Sequence, residues 1–185
     1  MTERPIIFSG PMVRAILEGR KTQTRRIIRA PKWSDPSRAG VDFPGPFHVG
    51  QILWVKETFL PWDASSGVEK YIYRATADIP AYDGSWKPSI YMPRKASRIT
   101  LQITDVRIEH LTDITDEDSV AEGMNVIVNT SNAVLKAGIL GTCIKGQRDM
   151  FRKYWDELNK KRGFGWDKNP WVWRIAFKWT QREIM

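Results

Sequence analysis

A chain of 185 residues is long enough to bury the core of one globular domain without disulfide bonds. Its 29 lysine and arginine residues against 21 aspartate and glutamate residues give a net charge of +8, which favours nucleic acid or another polyanion as partner. The single Cys143 excludes an internal disulfide bond and a zinc site with several cysteines, and two histidines argue against a histidine-rich metal site. We therefore expect a single domain over residues 1–185 that holds no metal.

Nothing in the sequence predicts membrane contact or export. No apolar run approaches the roughly 20 residues that span a bilayer, and the N-terminus carries Glu3 and Pro5 rather than a basic stretch followed by an apolar one. A single cysteine without an internal disulfide bond also fits a reducing compartment. We therefore expect a protein of the cytoplasm.

A first helix is predicted before a basic run. Ser9 can cap this helix, and Pro11 fits its first turn, where a missing N–H costs no intrahelical hydrogen bond. Gly19 stands where a left-handed residue commonly ends a helix. The basic run therefore begins where the helix stops.

The basic run combines cations with hydroxyls. Its cations are Arg20, Lys21, Arg25 and Arg26. These suit an anionic partner, and Lys21 and Thr24 bring an amine and a hydroxyl for chemistry. In a flat strand these two side chains would point to opposite faces, so a joint site requires a bend. The alternative is a basic loop in water.

Two loop-rich regions flank the next predicted strands. Residues 30–46 hold four prolines and are predicted as a long surface loop, and further loops surround a short strand near residues 71–73. Residues 50–59 are predicted as a strand with Glu57 at its rim. Glu57 could bond a cytosine-like amine or pair with an arginine, and Trp54 could stack on a base or belong to the core.

The second half of the chain gives a long strand over residues 98–109, with a bulge or bend, and a short helix after it. Thr115 and Asp118 form a start like a capping box, and Gly123 ends the helix. Glu122 lies at the negative end of this helix, at a cost of roughly 0.3–1 kcal/mol. We infer that something other than helix stability keeps it there.

The C-terminal elements complete an α+β fold. Residues 124–147 fit no element and are interpreted as an insertion, whereas residues 149–161 have helical spacing and residues 171–179 alternate as a strand. On that strand Trp171, Trp173, Ile175, Phe177 and Trp179 share one face, which we expect to be buried, and Val172 lies on the other. Arg174 and Lys178, on this second face, would contact phosphate or form a solvated surface. Short strands, short helices and no βαβ rhythm predict a small, mostly antiparallel barrel with helices beside it.

Several motifs together resemble one family. They are Phe8, the helix end at residues 16–19, the run Gly19-x-Lys21-Thr22-x-Thr24-x-Arg26, the strand at residues 50–58 and the turn Glu122-Gly123. These motifs resemble the ASCH domain family, and in particular its larger members encoded in phages and prophages. The resemblance implies a PUA-like barrel, related to modules that bind RNA or modified bases, with insertions near residues 30–46, 60–95 and 124–147.

The resemblance also implies an activity. The small ASCH amidohydrolases remove the acetyl group from N4-acetylcytidine, and their reactive lysine and threonine match Lys21 and Thr24, with Glu122 as the closest counterpart of their catalytic glutamate. A departure is Arg25, which stands where that family has a hydrophobic residue. Lys21 would be the base if burial and nearby arginines lowered its pKa, and Glu122 would protonate the leaving amine. The alternative is a Lys21–Glu122 ion pair, with Thr24 bonded to backbone.

We therefore expect an amidohydrolase of N4-acylated cytosine, in a nucleoside or a nucleic acid, that needs no cofactor. The alternatives are a module that binds RNA or modified bases without catalysis and a phage structural or accessory protein. The expected substrate-binding residues are Arg20, Arg25, Arg26, Trp54, Glu57 and Arg174.

Overall fold

The computed structural model describes residues 3–29, 45–63, 69–77, 86–124 and 146–180. The strands in these ranges are β1 (Glu3–Ile7), β2 (Gln23–Ile27), β3 (Ile52–Lys56), β4 (Phe59–Asp63), β5 (Glu69–Tyr73), β6 (Thr100–His110) and β7 (Trp171–Thr180). The α-helices are α1 (Gly10–Leu17), α2 (Asp116–Ala121) and α3 (Gln147–Asn159). Strands and helices do not alternate regularly, and the predicted α+β class is confirmed.

The strands form two sheets. Five of them pair in the order β1-β3-β6-β7-β2, and β4 pairs with β5 in a separate sheet. The pair β1–β3 is parallel, whereas β3–β6, β2–β7 and β4–β5 are antiparallel. The sheets are thus mostly antiparallel, as predicted. Within the described ranges β1 and β2 are the edges of the larger sheet, and no closed barrel is formed.

The chain divides into two compact units. The first comprises Met1–Gly19, His48–Thr104 and Phe177–Met185, and the second comprises Arg20–Phe47 and Asp105–Ala176. The prediction of a single domain over residues 1–185 stays a prediction. Among the described residues, no helix combines the length and the apolar character needed to cross a membrane.

In the first unit, α1 follows the predicted limits. It begins after Ser9 with proline in its first turn, although the Ser9 side chain makes no capping hydrogen bond, and Gly19 behind it has a φ of 74°. That left-handed conformation favours glycine and ends the helix. The core of this unit is apolar and includes Val13, Ala15 and Ile16 of α1, Leu53 and Val55 of β3, and Leu101 and Ile103 of β6.

The single strand predicted over residues 50–59 is two strands, because β3 ends at Lys56 and β4 begins at Phe59.

In the second unit, local signals fix the limits of α2. The Thr115 side chain accepts a hydrogen bond from the backbone N–H of Asp118 at 3.1 Å, as the capping pattern predicted. Glu122 is the C-terminal cap, and Gly123 follows with a φ of 90°. The predicted helix over residues 149–161 is also confirmed as α3, although it begins and ends two residues earlier.

Strand β7 differs in part from its predicted pattern. The alternation assigned Trp173 and Ile175 to a buried face and Val172 to the opposite one, yet all three are buried. Trp179, predicted on the buried face, is 43% exposed. Both faces of the sheet are therefore buried around residues 172–175. Toward the end of β7 the side chains become exposed to solvent.

The predicted insertions fall largely outside the described residues. Residues 30–44 and 125–145 lie outside them, as do 64–68 and 78–85 within the predicted insertion near residues 60–95. The rest of residues 60–95 includes most of β4 and all of β5, so this region contains regular structure as well as loops.

A glycine of the second unit packs closely against a tryptophan ring, and a substitution can test this packing. A Cβ at Gly45 would lie 2.3 Å from Trp173 Cη2, and this ring is buried. We expect Gly45→Ala to lower the free energy of unfolding by about 1–3 kcal/mol, because ring or backbone must move. Urea denaturation measures this change. In the control Gly10→Ala the new Cβ would meet its nearest atom at 3.9 Å, and equal effects of the two substitutions would contradict the prediction.

Candidate functional site

The basic run is fixed to the end of α2. Strand β2 begins at Gln23, so Lys21 and Thr22 precede it. The backbone N–H of Thr22 donates to the carbonyl of Ala121 at 2.9 Å, which places this stretch beside the last turn of α2. Lys21 lies outside the strand, so its side chain is not bound by strand alternation.

Lys21 is a buried lysine with a carboxylate partner. Only 4% of the residue is exposed. Its Nζ donates to Glu122 Oε2 at 2.9 Å, to the Glu122 carbonyl at 2.7 Å and to the Gln23 carbonyl at 2.8 Å. Burial lowers the pKa of Lys21, and the charges of Arg26 and Arg25 lower it further, while Glu122 opposes the shift. Lys21 therefore gives up its proton more readily than an exposed lysine.

Glu122 is held by two cations. Its Oε2 accepts from Lys21 at 2.9 Å, and its Oε1 accepts from Arg25 Nη1 at 3.2 Å. The negative end of α2 does not stabilise a carboxylate, whereas these two charge-assisted hydrogen bonds do. They explain how the buried carboxylate of Glu122 is kept at this position. Because both oxygens are acceptors, the geometry fits a carboxylate, whereas the sequence led us to expect a protonated acid.

Arg25 is the centre of the surrounding ion pairs. Its side chain is fully buried. Besides Glu122, the guanidinium lies 2.7 Å from Glu109 Oε1 and 2.9 Å from Asp118 Oδ2. Arg25 is thus occupied by three carboxylates of the protein itself. Sequence reasoning missed Glu109 as a partner, because nothing in a local pattern connects residues 84 positions apart.

Asp118 joins two arginines that would otherwise repel each other. Arg25 and Arg174 are direct partners in the β2–β7 register. Like charges in this position are unfavourable, but Asp118 contacts both, and Arg174 also bonds Asp105 at 3.1 Å. Burial would raise the pKa of Asp118, but a hydrogen bond from Gln23 and the two arginines together lower it. The described residues contain no group of three histidine, cysteine or acidic side chains that could hold a metal ion.

The remaining predicted residues of the second unit lie around this cluster. Thr24 is buried and pairs with Ile175, and alternation along β2 places it on the face opposite Arg25. Arg20 Nη1 donates to the Gly123 carbonyl at 3.3 Å. Burial lowers the pKa of Arg26, and Glu122 acts against this shift. The structure therefore joins Lys21 and Glu122 directly, and the part played by Thr24 stays a prediction.

Trp54 and Glu57 belong to the first unit. Trp54 is partly buried in β3, with Lys56 Nζ 5.6 Å and Arg94 Cζ 5.7 Å from its ring centroid. Glu57 is only 1% exposed, so the predicted position at a rim was wrong. Its two oxygens accept from Arg98 at 2.9 and 3.0 Å. The structure therefore has the alternative in which Glu57 pairs with an arginine. This ion pair permits the burial of the Glu57 carboxylate.

No protein-family model matches the chain, and no curated protein sequence does. Among solved structures, an ASCH domain from Lactobacillus crispatus has 15% identity and a TM-score of 0.44, over 96% of this chain and 79% of that one. A protein from Enterococcus faecalis has 9% identity and a TM-score of 0.48, over 98% of this chain and 77% of that one. The chain is similar in structure to an ASCH domain. This likeness does not extend to activity, substrate or site residues.

Proposed function

We propose that the protein is an amidohydrolase that removes an acyl group from N4-acylated cytosine, in a nucleoside or a nucleic acid. The observation that carries the proposal is the buried pair between Glu122, at the end of α2, and Lys21, which belongs to the run that resembles the ASCH amidohydrolases. A buried lysine whose pKa is lowered, in contact with a carboxylate, is an arrangement that functional sites favour.

The pair supplies both a base and an acid. Transfer of one proton from Lys21 Nζ to Glu122 Oε2, across 2.9 Å, gives a neutral amine and a carboxylic acid without changing the charge of the site. The observed ion pair is then the resting form, and the neutral pair is the reactive one. This step restores the acid role that the sequence assigned to Glu122.

The resemblance assigns the nucleophile of the proposed reaction to Thr24, and the reaction requires the Thr24 hydroxyl to approach Lys21 Nζ. The Thr24 hydroxyl oxygen bonds to the acyl carbonyl carbon while neutral Lys21 takes the hydroxyl proton. The bond from that carbon to N4 then breaks, and Glu122 gives a proton to the leaving amine. Water cleaves the ester on Thr24 and releases the carboxylic acid, so that the side chains return to their starting protonation.

The direct test incubates the purified full chain with N4-acetylcytidine. We expect acetate and cytidine in equal amounts, measured by proton NMR and liquid chromatography. N4-methylcytidine, which has no acyl carbonyl, is the matched control and should remain intact. If no acylated cytosine is hydrolysed while nucleosides bind, the amidohydrolase proposal fails.

A second candidate is a module that binds RNA or a modified base without catalysis. The net charge of +8 and the cations beside Trp54 favour it. In that case binding of single-stranded RNA should weaken steeply as salt rises, because phosphate contacts release counterions. Salt-dependent RNA binding together with an absence of hydrolysis would select this candidate.

A further inference from the structure

Arg25 is fully buried and contacts Glu122, Asp118 and Glu109, and this arrangement gives it a role the sequence did not indicate. We propose that Arg25 is a positioning residue that fixes Glu122 against Lys21, rather than a contact of the substrate. The catalytic consequence rests on the proposed function, whereas the effect on the Lys21–Glu122 pair does not.

The geometry of the guanidinium supports this role. Glu109 comes from β6 and Asp118 from α2, and each lies within 2.9 Å of the Arg25 guanidinium. The planar group is therefore held from two elements, and its Nη1 has one defined direction, toward Glu122 Oε1 at 3.2 Å. A lysine at this position would keep the charge but would lose the fixed fork. Arg25 thus sets the direction from which Glu122 meets Lys21.

The charge of Arg25 acts on the pair as well. The positive charge of Arg25 partly neutralises the negative charge of Glu122, and it disfavours a second positive charge at Lys21. The other charged or titratable groups around the pair and its partners are Arg26, Asp105, Glu109, Asp118, Tyr154 and Arg174. Removing the charge of Arg25 takes one hydrogen-bonded cation away from Glu122 and one positive charge away from Lys21, so Lys21 should then hold its proton more tightly.

The test is an NMR titration of protein labelled in its lysine side chains. The Lys21 signal is identified by its loss in Lys21→Arg. We expect Arg25→Gln to move the titration midpoint of Lys21 upward by about 1 unit or more. Arg152→Gln is the matched control, because Arg152 is 48% exposed and pairs with the exposed Asp167 at 3.0 Å, away from this cluster of ion pairs. An unchanged midpoint in folded Arg25→Gln would overturn the proposal.

Arg25→Lys keeps the charge and tests the geometry, also where Arg25→Gln does not fold. We expect kcat for N4-acetylcytidine to fall at least about tenfold with KM little changed, because the substrate is not contacted. A raised KM with unchanged kcat would instead identify a substrate contact and overturn the proposal. If the wild type hydrolyses no acylated cytosine, the proposed function fails, and the midpoint in Arg25→Gln still decides the role of Arg25.

Discussion

Replacing Lys21 with arginine is expected to lower kcat for N4-acetylcytidine hydrolysis by about 10²–10⁴-fold, the usual contribution of an acid–base group. Arginine keeps the positive charge beside Glu122, but it cannot give up a proton near neutral pH. The loss would therefore report proton transfer and not the loss of an ion pair. Single-turnover release of acetate measures the rate, and circular dichroism verifies that the variant is folded.

The other members of the proposed unit should behave as its parts. Glu122→Gln and Thr24→Ala are each expected to remove most of the activity, and double variants should lose little more, because residues that act together are strongly non-additive. Thr24→Ser keeps the hydroxyl and should keep part of the activity. A fully active Lys21→Arg variant would show that this lysine is not the base.

The elements with local signals were predicted well from the sequence. Gly19 ends α1, and Thr115 and Gly123 limit α2, because helix caps depend on neighbouring backbone groups; Ser9 precedes α1 as predicted but makes no side-chain cap. Such signals need no knowledge of the rest of the fold. The faces of β7 were predicted less well, because cover on a central strand depends on distant parts of the chain.

The candidate site shows the same division. Lys21 and Glu122 could be singled out, one by its place in a motif and the other by its unfavourable place at a helix end. Their contact was foreseen only as the alternative to a catalytic role. The contacts of Arg25 with Glu109 and Asp118 depend on residues 84 and 93 positions away, and no periodicity reaches that far.

Glu57 illustrates how a strand end misleads. Charge at the end of an apolar run usually marks a surface, yet β3 stops at Lys56 and the carboxylate of Glu57 is buried. Its partner Arg98 stands 41 residues further along the chain. A carboxylate with a bidentate arginine can be buried where an unpaired one cannot.

That pair leads to a large expected effect on stability. Replacing Arg98 with methionine should lower the free energy of unfolding by about 3–5 kcal/mol, because it leaves the Glu57 carboxylate buried without either of its Arg98 donors. Methionine retains an apolar chain near the Tyr73 ring, which Arg98 Cζ now covers at 4.0 Å. Urea denaturation at neutral pH gives the difference from the wild type.

Replacing the other member of the pair, Glu57, should lower the free energy of unfolding by less. In Glu57→Leu the remaining Arg98 side chain, 27% exposed, can reach water, and it keeps its hydrogen bond to Thr76 at 3.0 Å. The double variant Arg98→Met with Glu57→Leu should also be more stable than Arg98→Met alone, because no unpaired charge then remains in the interior. If Arg98→Met were no less stable than Glu57→Leu, the cost would lie in lost packing, and the buried carboxylate would not depend on its arginine.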